Sequence, residues 1–228
     1  MNEAFKQNIE SVQHRISVAA EKSGRSPDDV TLIGVTKYVD AGVTREIVEA
    51  GCLNLGENRP QVLWDKAAEL ADLPIRWHMI GHLQRNKVKR TIEIADLVHS
   101  VDSPRLLTAI NEAAKGLNKK VEVLLEFNVS GEAAKHGFEP DQISNAIEVA
   151  AGLSHVAVTG LMCMAGLNGD QDDARREFAM LRQLAESNES ASPANVELKE
   201  LSMGMSGDFE IAIEEGATLV RVGSLLLK

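Results

Sequence analysis

One lysine follows a short apolar segment, in a position where its amine could act as a nucleophile. Lys37 comes directly after the segment Leu32-Ile33-Gly34-Val35-Thr36. Desolvation beside such a segment favours the neutral amine, which can form a Schiff base with an aldehyde. Most lysines are surface residues, so on position alone a solvated loop lysine is the favoured interpretation.

Two segments of small residues could bind a phosphate group. Ser202-Met203-Gly204-Met205-Ser206 joins a predicted strand to a predicted short helix, which Ser206 is placed to cap, and Gly223-Ser224 follows the last predicted strand. Backbone N–H groups in such loops point toward an anion. Ordinary helix capping would use the same residues and is the alternative here.

Arg221 is the third residue whose position suggests chemistry. It lies between Val220 and Val222 in the last predicted strand. If its side chain faces the protein interior, the guanidinium must have a partner. A salt bridge to an interior acid such as Glu57 would be a structural role. A contact with the ring nitrogen of a heterocycle would be a functional one.

These three features together predict binding of pyridoxal 5′-phosphate. The lysine would hold the aldehyde as a Schiff base, the small-residue loops the phosphate, and the arginine the pyridine nitrogen. Because an arginine stays charged, the nitrogen facing it would stay unprotonated. The ring would then withdraw electrons less strongly than a ring whose nitrogen faces a carboxylate.

The composition sets limits on other functions. The 228 residues are 44% hydrophobic and 25% charged, as in soluble globular proteins, and the net charge of −10 disfavours nucleic-acid and membrane partners. Residues 149–169 carry no Asp, Glu, Lys or Arg, but their four glycines disfavour a membrane helix. The polar start of the chain is unlike a signal peptide, and two isolated cysteines indicate a cytoplasmic setting.

Strands and helices alternate along the whole chain. An N-terminal helix is predicted from an apolar stripe that recurs at helical spacing, formed by Phe5, Ile9, Val12, Ile16 and Ala19. Eight short apolar segments separated by helical patterns then predict strands at residues 30–36, 52–55, 76–80, 97–101, 121–127, 156–162, 198–201 and 218–222.

This alternation predicts an α/β fold, a single-domain (β/α)8 TIM barrel over residues 1–228 with an extra N-terminal helix. A doubly wound open sheet is the alternative, but it would usually place a glycine-rich segment after the first strand, where this chain has Lys37. In such barrels the active site lies at the carboxyl ends of the strands, which is where the three features fall.

The order and spacing of several motifs resemble the YggS/PROSC family of pyridoxal phosphate homeostasis proteins, over nearly the whole chain. The motifs are Gly34-Val35-Thr36-Lys37, Gly56-Glu57-Asn58, Trp77-His78-Met79-Ile80-Gly81-His82-Leu83-Gln84-Arg85-Asn86-Lys87, His99-Ser100-Val101-Asp102, Gly160-Leu161-Met162, Leu201-Ser202-Met203-Gly204-Met205-Ser206 and Val220-Arg221-Val222-Gly223.

The resemblance implies a barrel of the alanine racemase N-terminal type that binds and buffers the cofactor without robust catalysis. It implies that Lys37 is the cofactor lysine and that Arg221 contacts the pyridine nitrogen. The further cofactor-binding positions implied by the resemblance are Asn58 and Met79 in the pocket, Ser202, Ser206, Gly223 and Ser224 at the phosphate, and Gly204 and Met205 in the same motif.

Three functions remain open: a cofactor carrier, a pyridoxal-phosphate-dependent amino-acid racemase, and a cofactor-free Schiff-base aldolase on the same barrel. A two-base racemase needs a second base, and Tyr38, next to Lys37, should point to the opposite side of an extended segment. The carrier is therefore favoured over an enzyme. We expect a monomer, with pyridoxal-phosphate-dependent apo-enzymes as candidate partners.

Other reactive residue types have structural interpretations. His78, His82 and His99 have no acidic residue at ligand spacing, so no metal site is expected, although His82 could contact the pocket. Cys163, near the rim, is a candidate for oxidation. The basic residues Arg85, Lys87, Lys89 and Arg90 are interpreted as a solvated helix face.

Overall fold

Parallel strands form a closed barrel at the centre of the computed structural model, which describes residues 2–132, 135–190 and 192–228. Their order around the barrel follows the order in the chain, and β1 pairs with β8 to close it. The predicted barrel is confirmed. Its strands are β1 (Thr31–Val35), β2 (Asn54–Glu57), β3 (Arg76–Met79), β4 (Leu97–Val101), β5 (Val121–Glu126), β6 (Val156–Met162), β7 (Val196–Met205) and β8 (Leu219–Val222).

Helices surround the barrel. One helix precedes β1, and the others each link two consecutive strands. They are α1 (Asn2–Lys22), α2 (Ala41–Glu49), α3 (Pro60–Glu69), α4 (Val88–Ile94), α5 (Pro104–Gly116), α6 (Ile143–Ala151), α7 (Gln171–Glu189) and α8 (Phe209–Glu214). No helix in these described parts of the chain is long and apolar enough to cross a membrane.

The predicted N-terminal helix completes this outer ring. α1 packs between α8 and α2, the place that a helix after β8 would occupy. Its predicted apolar stripe, from Phe5 to Ala19, is buried throughout. On its polar side Lys22 pairs with Glu214 of α8 at 2.6 Å. Burial of the stripe therefore joins the start of the chain to its end.

Two strands differ from their predicted bounds by more than one residue. β2 begins and ends two residues later than the predicted 52–55, and β7 continues four residues beyond the predicted 198–201. Ser202 and Gly204 therefore lie in a strand, not in a loop. Small residues carry little hydropathy signal, but here they permit close packing: a Cβ on Gly204 would lie 2.5 Å from Ala212 Cβ of α8.

Most of the apolar core lies between the barrel and the helices. A smaller apolar cluster fills the barrel interior, formed by Ile33, Leu97, Leu124, Met162 and Leu219. Buried polar side chains share that interior, including His78, His99, Ser202 and Arg221. Buried polar groups must be hydrogen-bonded. The partners of these side chains therefore determine which donors and acceptors are left for a ligand at the barrel mouth.

Substitution of Gly160 tests how closely the backbones of β6 and β7 approach each other. A Cβ at this position would lie 1.9 Å from the Glu200 carbonyl oxygen. We expect Gly160→Ala to lower the free energy of unfolding by about 3 kcal/mol, because one strand must shift. Gly152→Ala is the control, since its Cβ would have an ordinary contact at 3.6 Å. Equal urea midpoints for both variants would contradict the described strand packing.

Candidate functional site

A cavity of about 520 Å³ opens at the carboxyl ends of the strands, a volume that suits a small-molecule ligand. Its walls come from segments at or after the ends of β1, β2, β3, β6, β7 and β8. They include Lys37, Tyr38, Asn58, Gly81, Met164, Met205, Ser206, Gly207, Arg221, Gly223 and Ser224. A second cavity of about 580 Å³ lies nearby, lined by His82 and Asp102. Neither Lys37 nor Arg221 lines that second cavity.

Most of the predicted cofactor residues line the first cavity. They are Lys37, Asn58, Met205, Ser206, Arg221, Gly223 and Ser224. Three predicted residues do not line it: Met79 is buried in the core, Ser202 lies beneath Arg221, and Gly204 backs onto α8. His82 lines the second cavity instead.

Lys37 lies in a turn after β1, and its side chain is exposed. Of the two interpretations, desolvation is therefore wrong and the solvated loop lysine is right: the strand that precedes it is buried, but the side chain itself reaches the open cavity. Its neighbour Tyr38 also differs from expectation. The chain turns here instead of staying extended, so Lys37 Nζ lies 5.0 Å from the centre of the Tyr38 ring and both line one cavity.

A buried ion pair fixes the backbone immediately before Lys37. Lys66 Nζ lies 2.6 Å from Glu57 Oε1 and also donates to the Thr36 carbonyl oxygen at 2.7 Å. The Thr36 hydroxyl donates to the same Glu57 oxygen at 2.7 Å. Both charged side chains are almost fully buried. The pair thus joins β1, β2 and α3 directly below the exposed lysine.

Sequence reasoning missed Lys66, although a signal was present. Lys66 follows Leu63 by three residues and precedes Leu70 by four, so it lies on the apolar face of α3. A lysine on an apolar face requires a buried partner. That partner is Glu57, so the predicted Arg221–Glu57 salt bridge is wrong.

Arg221 forms the floor of the cavity and is almost fully buried. One guanidinium nitrogen donates to Ser202 Oγ, and another donates to the Cys163 carbonyl oxygen at 2.8 Å. No described acid lies within ion-pair distance of it. Of the five N–H donors of an arginine, these contacts use two, so the guanidinium retains donors for a ligand.

A chain of hydrogen bonds continues from Arg221 through the barrel to its amino end. Ser202 Oγ lies 2.8 Å from His99 Nδ1, His99 Nε2 lies 2.9 Å from His78 Nδ1, and His78 Nε2 lies 3.2 Å from Asn54 Oδ1. Asn54 and His78 line a separate cavity at that end. His78 and His99 are therefore buried, hydrogen-bonded histidines.

The donor in each of these hydrogen bonds follows from the groups at the two ends of the series, Arg221 and Asn54. An amide oxygen only accepts, so we assign the His78 proton to Nε2 and the His99 proton to Nε2. His99 Nδ1 then accepts from the Ser202 hydroxyl, whose oxygen accepts from Arg221. Burial lowers the pKa of His78 to about 4, with a smaller effect from Arg76. Burial, followed by His78 and Arg221, lowers the pKa of His99 well below its ordinary value.

The loops after β7 and β8 are tied together beside Arg221. The Gly223 N–H donates to Ser206 Oγ at 3.2 Å. Asp208, not Ser206, is the N-cap residue of α8, so the expected capping role of Ser206 is wrong. The N–H groups of Gly207 and Ser224 make no hydrogen bond with the described residues. Free N–H groups and hydroxyls in adjacent loops suit an anion.

Cys163 is not a reactive thiol. It is fully buried, and burial raises its pKa to about 12, which keeps it protonated. The predicted oxidation at this position is therefore wrong, and the contact of Cys163 with the site is the hydrogen bond that its backbone carbonyl accepts from Arg221. The other cysteine, Cys52, is buried as well.

Comparison with known proteins agrees with this geometry. The model of the family described as "Alanine racemase, N-terminal domain" matches residues 3–228. A "Pyridoxal phosphate homeostasis protein" of Aquifex aeolicus is 41% identical over 220 residues, which cover 96% of each chain. Its counterpart in Pseudomonas aeruginosa is 39% identical and covers 96% of this chain and 93% of its own.

A solved structure shows the same fold with a ligand. PipY of Synechococcus elongatus, described "with PLP bound", has a TM-score of 0.86 and 33% identity, covering 98% of this chain and 100% of its own. Both the match to the family model and the two relatives extend over nearly the full chain. The chain therefore belongs to the alanine racemase N-terminal domain family and, within it, to the pyridoxal phosphate homeostasis proteins.

Proposed function

We propose that this protein binds pyridoxal 5′-phosphate, holds it as a Schiff base on Lys37, and acts in cofactor homeostasis and supply inside the cell. The observation that carries the proposal is a buried guanidinium with unused donors on the floor of a cavity whose rim bears a lysine. The relatives named pyridoxal phosphate homeostasis proteins and the PipY structure support the same ligand.

The cavity residues fit the three ends of this cofactor. When bound, the cofactor supplies an aldehyde that a lysine amine can attach. Lys37 would take that end from the open side of the cavity. Arg221 would donate an N–H to the ring nitrogen. The unprotonated ring nitrogen can accept through its lone pair, whereas the guanidinium can only donate. Gly207 and Ser224 would donate backbone N–H groups to the phosphate.

The hydrogen-bond chain behind Arg221 holds the guanidinium in place without adding charge. Both imidazoles stay neutral in the folded protein, so Ser202 is kept as an acceptor for Arg221 and no second cation lies beside it. Burial lowers the pKa of Arg221, but the ordinary pKa of an arginine lies so far above neutrality that the guanidinium keeps its proton. A ring nitrogen facing it would stay unprotonated, so the ring would withdraw electrons less strongly than a ring with a protonated nitrogen.

The same cavity is poorly equipped as a racemase site. Tyr38 is 82% exposed and has no hydrogen-bond partner among the described residues, so nothing positions its hydroxyl as a second base. We therefore propose a carrier that releases its cofactor to apo-enzymes rather than a catalyst, located in the cytoplasm. An amino-acid racemase is the second candidate, favoured only by the presence of Tyr38 in the cavity.

Lys37→Ala tests the attachment. With added pyridoxal phosphate, the wild-type protein should develop a new absorbance band, and borohydride should fix the cofactor on Lys37, as read by peptide mass. The variant should do neither, because it has no amine at the rim. Lys89→Ala, which removes an exposed lysine of α4, should behave like the wild type.

Three results would contradict this proposal or part of it. A band that survives in Lys37→Ala, or a label on another lysine, would exclude Lys37 as the attachment site. No band in the folded wild-type protein would exclude the cofactor. Exchange of the α-hydrogen of an amino acid by the loaded wild-type protein, at enzymatic rates and dependent on Tyr38, would favour the racemase over the carrier.

His99→Gln tests the neutral histidine chain. In the unfolded chain His99 takes up a proton below about pH 6.5, whereas the buried imidazole does not. Acid therefore destabilises the wild type. Between pH 6 and 5 its free energy of unfolding should fall by about 1 kcal/mol more than that of the variant. The pKa of Glu126, raised by burial to about 7, has the opposite effect in both proteins and cancels in the comparison.

Urea unfolding at the two pH values gives this difference directly. His14→Gln is the matched control, because His14 is exposed on α1. It should change with pH as the wild type does. Parallel pH dependence in wild type and His99→Gln would show that His99 is protonated in the folded state, against the assigned chain.

A further inference from the structure

Three metal-ligating side chains meet at the rim, outside the cofactor cavity. His82 follows β3, Asp102 follows β4, and His136 follows β5. His82 Nδ1 lies 2.9 Å from Asp102 Oδ2, and His136 Nδ1 lies 4.0 Å from the same oxygen. The sequence-based expectation that no acid accompanies these histidines is therefore wrong for His82, because neighbouring strand ends bring distant residues together.

The carboxylate of Asp102 is placed to bind a cation. Its side chain is 10% exposed, and its Oδ1 accepts from the Ser103 hydroxyl at 3.0 Å. That bond leaves Oδ2 facing the two imidazoles. No lysine or arginine among the described residues pairs with Asp102. A largely buried carboxylate whose ion-pair partners among the described residues are only histidines lacks a permanent counter-charge in direct contact.

We propose that His82, Asp102 and His136 bind one divalent transition-metal ion of the zinc type, with a water molecule in the fourth position. Two imidazoles and one carboxylate are donors that zinc, cobalt, nickel and copper accept, whereas magnesium and calcium prefer oxygen ligands alone. The Ser103 contact would orient the ligating carboxylate, as outer-shell hydrogen bonds do in metal sites.

The distances fit this assignment after small side-chain movements. Ligand atoms of a tetrahedral zinc site with bonds of about 2.1 Å lie about 3.4 Å apart. The two measured separations lie on either side of that value, and all three ligand atoms fall within 4.8 Å of one another. The imidazoles stack with their centres 4.3 Å apart. Both are well exposed, at 44% and 62%, so they can turn toward one ion without backbone movement.

The site would link the segments that follow β3, β4 and β5. It does not use Lys37 or Arg221, so it is independent of the proposed cofactor function. An ion bound only by the folded protein adds to its stability by mass action. Because the two imidazoles are exposed and their outer nitrogens have no partner among the described residues, the ion should exchange with solvent rather than remain permanently bound.

Titration of the full-length, metal-free protein with zinc chloride tests the proposal, with calorimetry as the readout. We expect binding of one ion per chain, and cobalt(II) in place of zinc should show the intense visible band of a tetrahedral site. Asp102→Asn keeps the size of the side chain and an acceptor for Ser103 but removes the charge. This variant, His82→Gln and His136→Gln should each lose the band and the calorimetric signal.

His14→Gln is again the control, since it removes an exposed histidine of α1 that does not belong to the cluster. It should bind zinc as the wild type does. Circular dichroism and thermal melting without metal verify that each variant is folded, and added zinc should raise the melting temperature of the wild type and His14→Gln only. No binding by the wild type, or binding that persists unchanged in the folded Asp102→Asn and His136→Gln variants, would overturn the proposal.

Discussion

The burial of one guanidinium without a carboxylate partner is the constraint on which the site depends. Arg221 is nearly inaccessible to solvent, yet its hydrogen-bond partners among the described residues are a hydroxyl and a backbone carbonyl. A buried cation in such surroundings is costly unless its donors are satisfied. On one side, Ser202 accepts a hydrogen bond from the guanidinium and is itself held by the histidines behind it. On the other side the unused donors face the cavity, where an acceptor from a ligand would complete the shell.

A second set of buried charges, the ion pair of Lys66 and Glu57, positions the backbone before Lys37 and does not line the cavity. The Lys66–Glu57 pair lies below Lys37 and contacts the backbone and hydroxyl of Thr36. Such a pair contributes little net stability, because its desolvation offsets its attraction, but losing one partner would leave the other charge buried. It therefore holds the end of β1 in a defined place while leaving the lysine that follows free to reach a ligand.

Local patterns in the sequence predict most of the fold, because strand and helix periods alternate regularly from Phe5 to Val222. The patterns fail at the ends of β2 and β7, where glycines and serines give no apolar signal but pack closely against neighbouring elements. They also fail for Tyr38, because the direction of its side chain depends on the turn that follows β1. The pairing of Lys66 with Glu57 depends on how α3 packs against β2, and the meeting of His82, Asp102 and His136 depends on which strand ends are adjacent. No local pattern encodes either contact.

The most direct measurement is the nitrogen NMR signal of pyridoxal phosphate labelled with ¹⁵N in its ring and bound to the protein. The account predicts a ring nitrogen that remains unprotonated between pH 6 and 8, because it faces the charged, buried Arg221. Substituting Arg221 with a carboxylate residue, in a variant verified to be folded and loaded, should move the signal toward the protonated position. A protonated nitrogen in the wild-type complex would contradict the account, since Arg221 could then not be its partner.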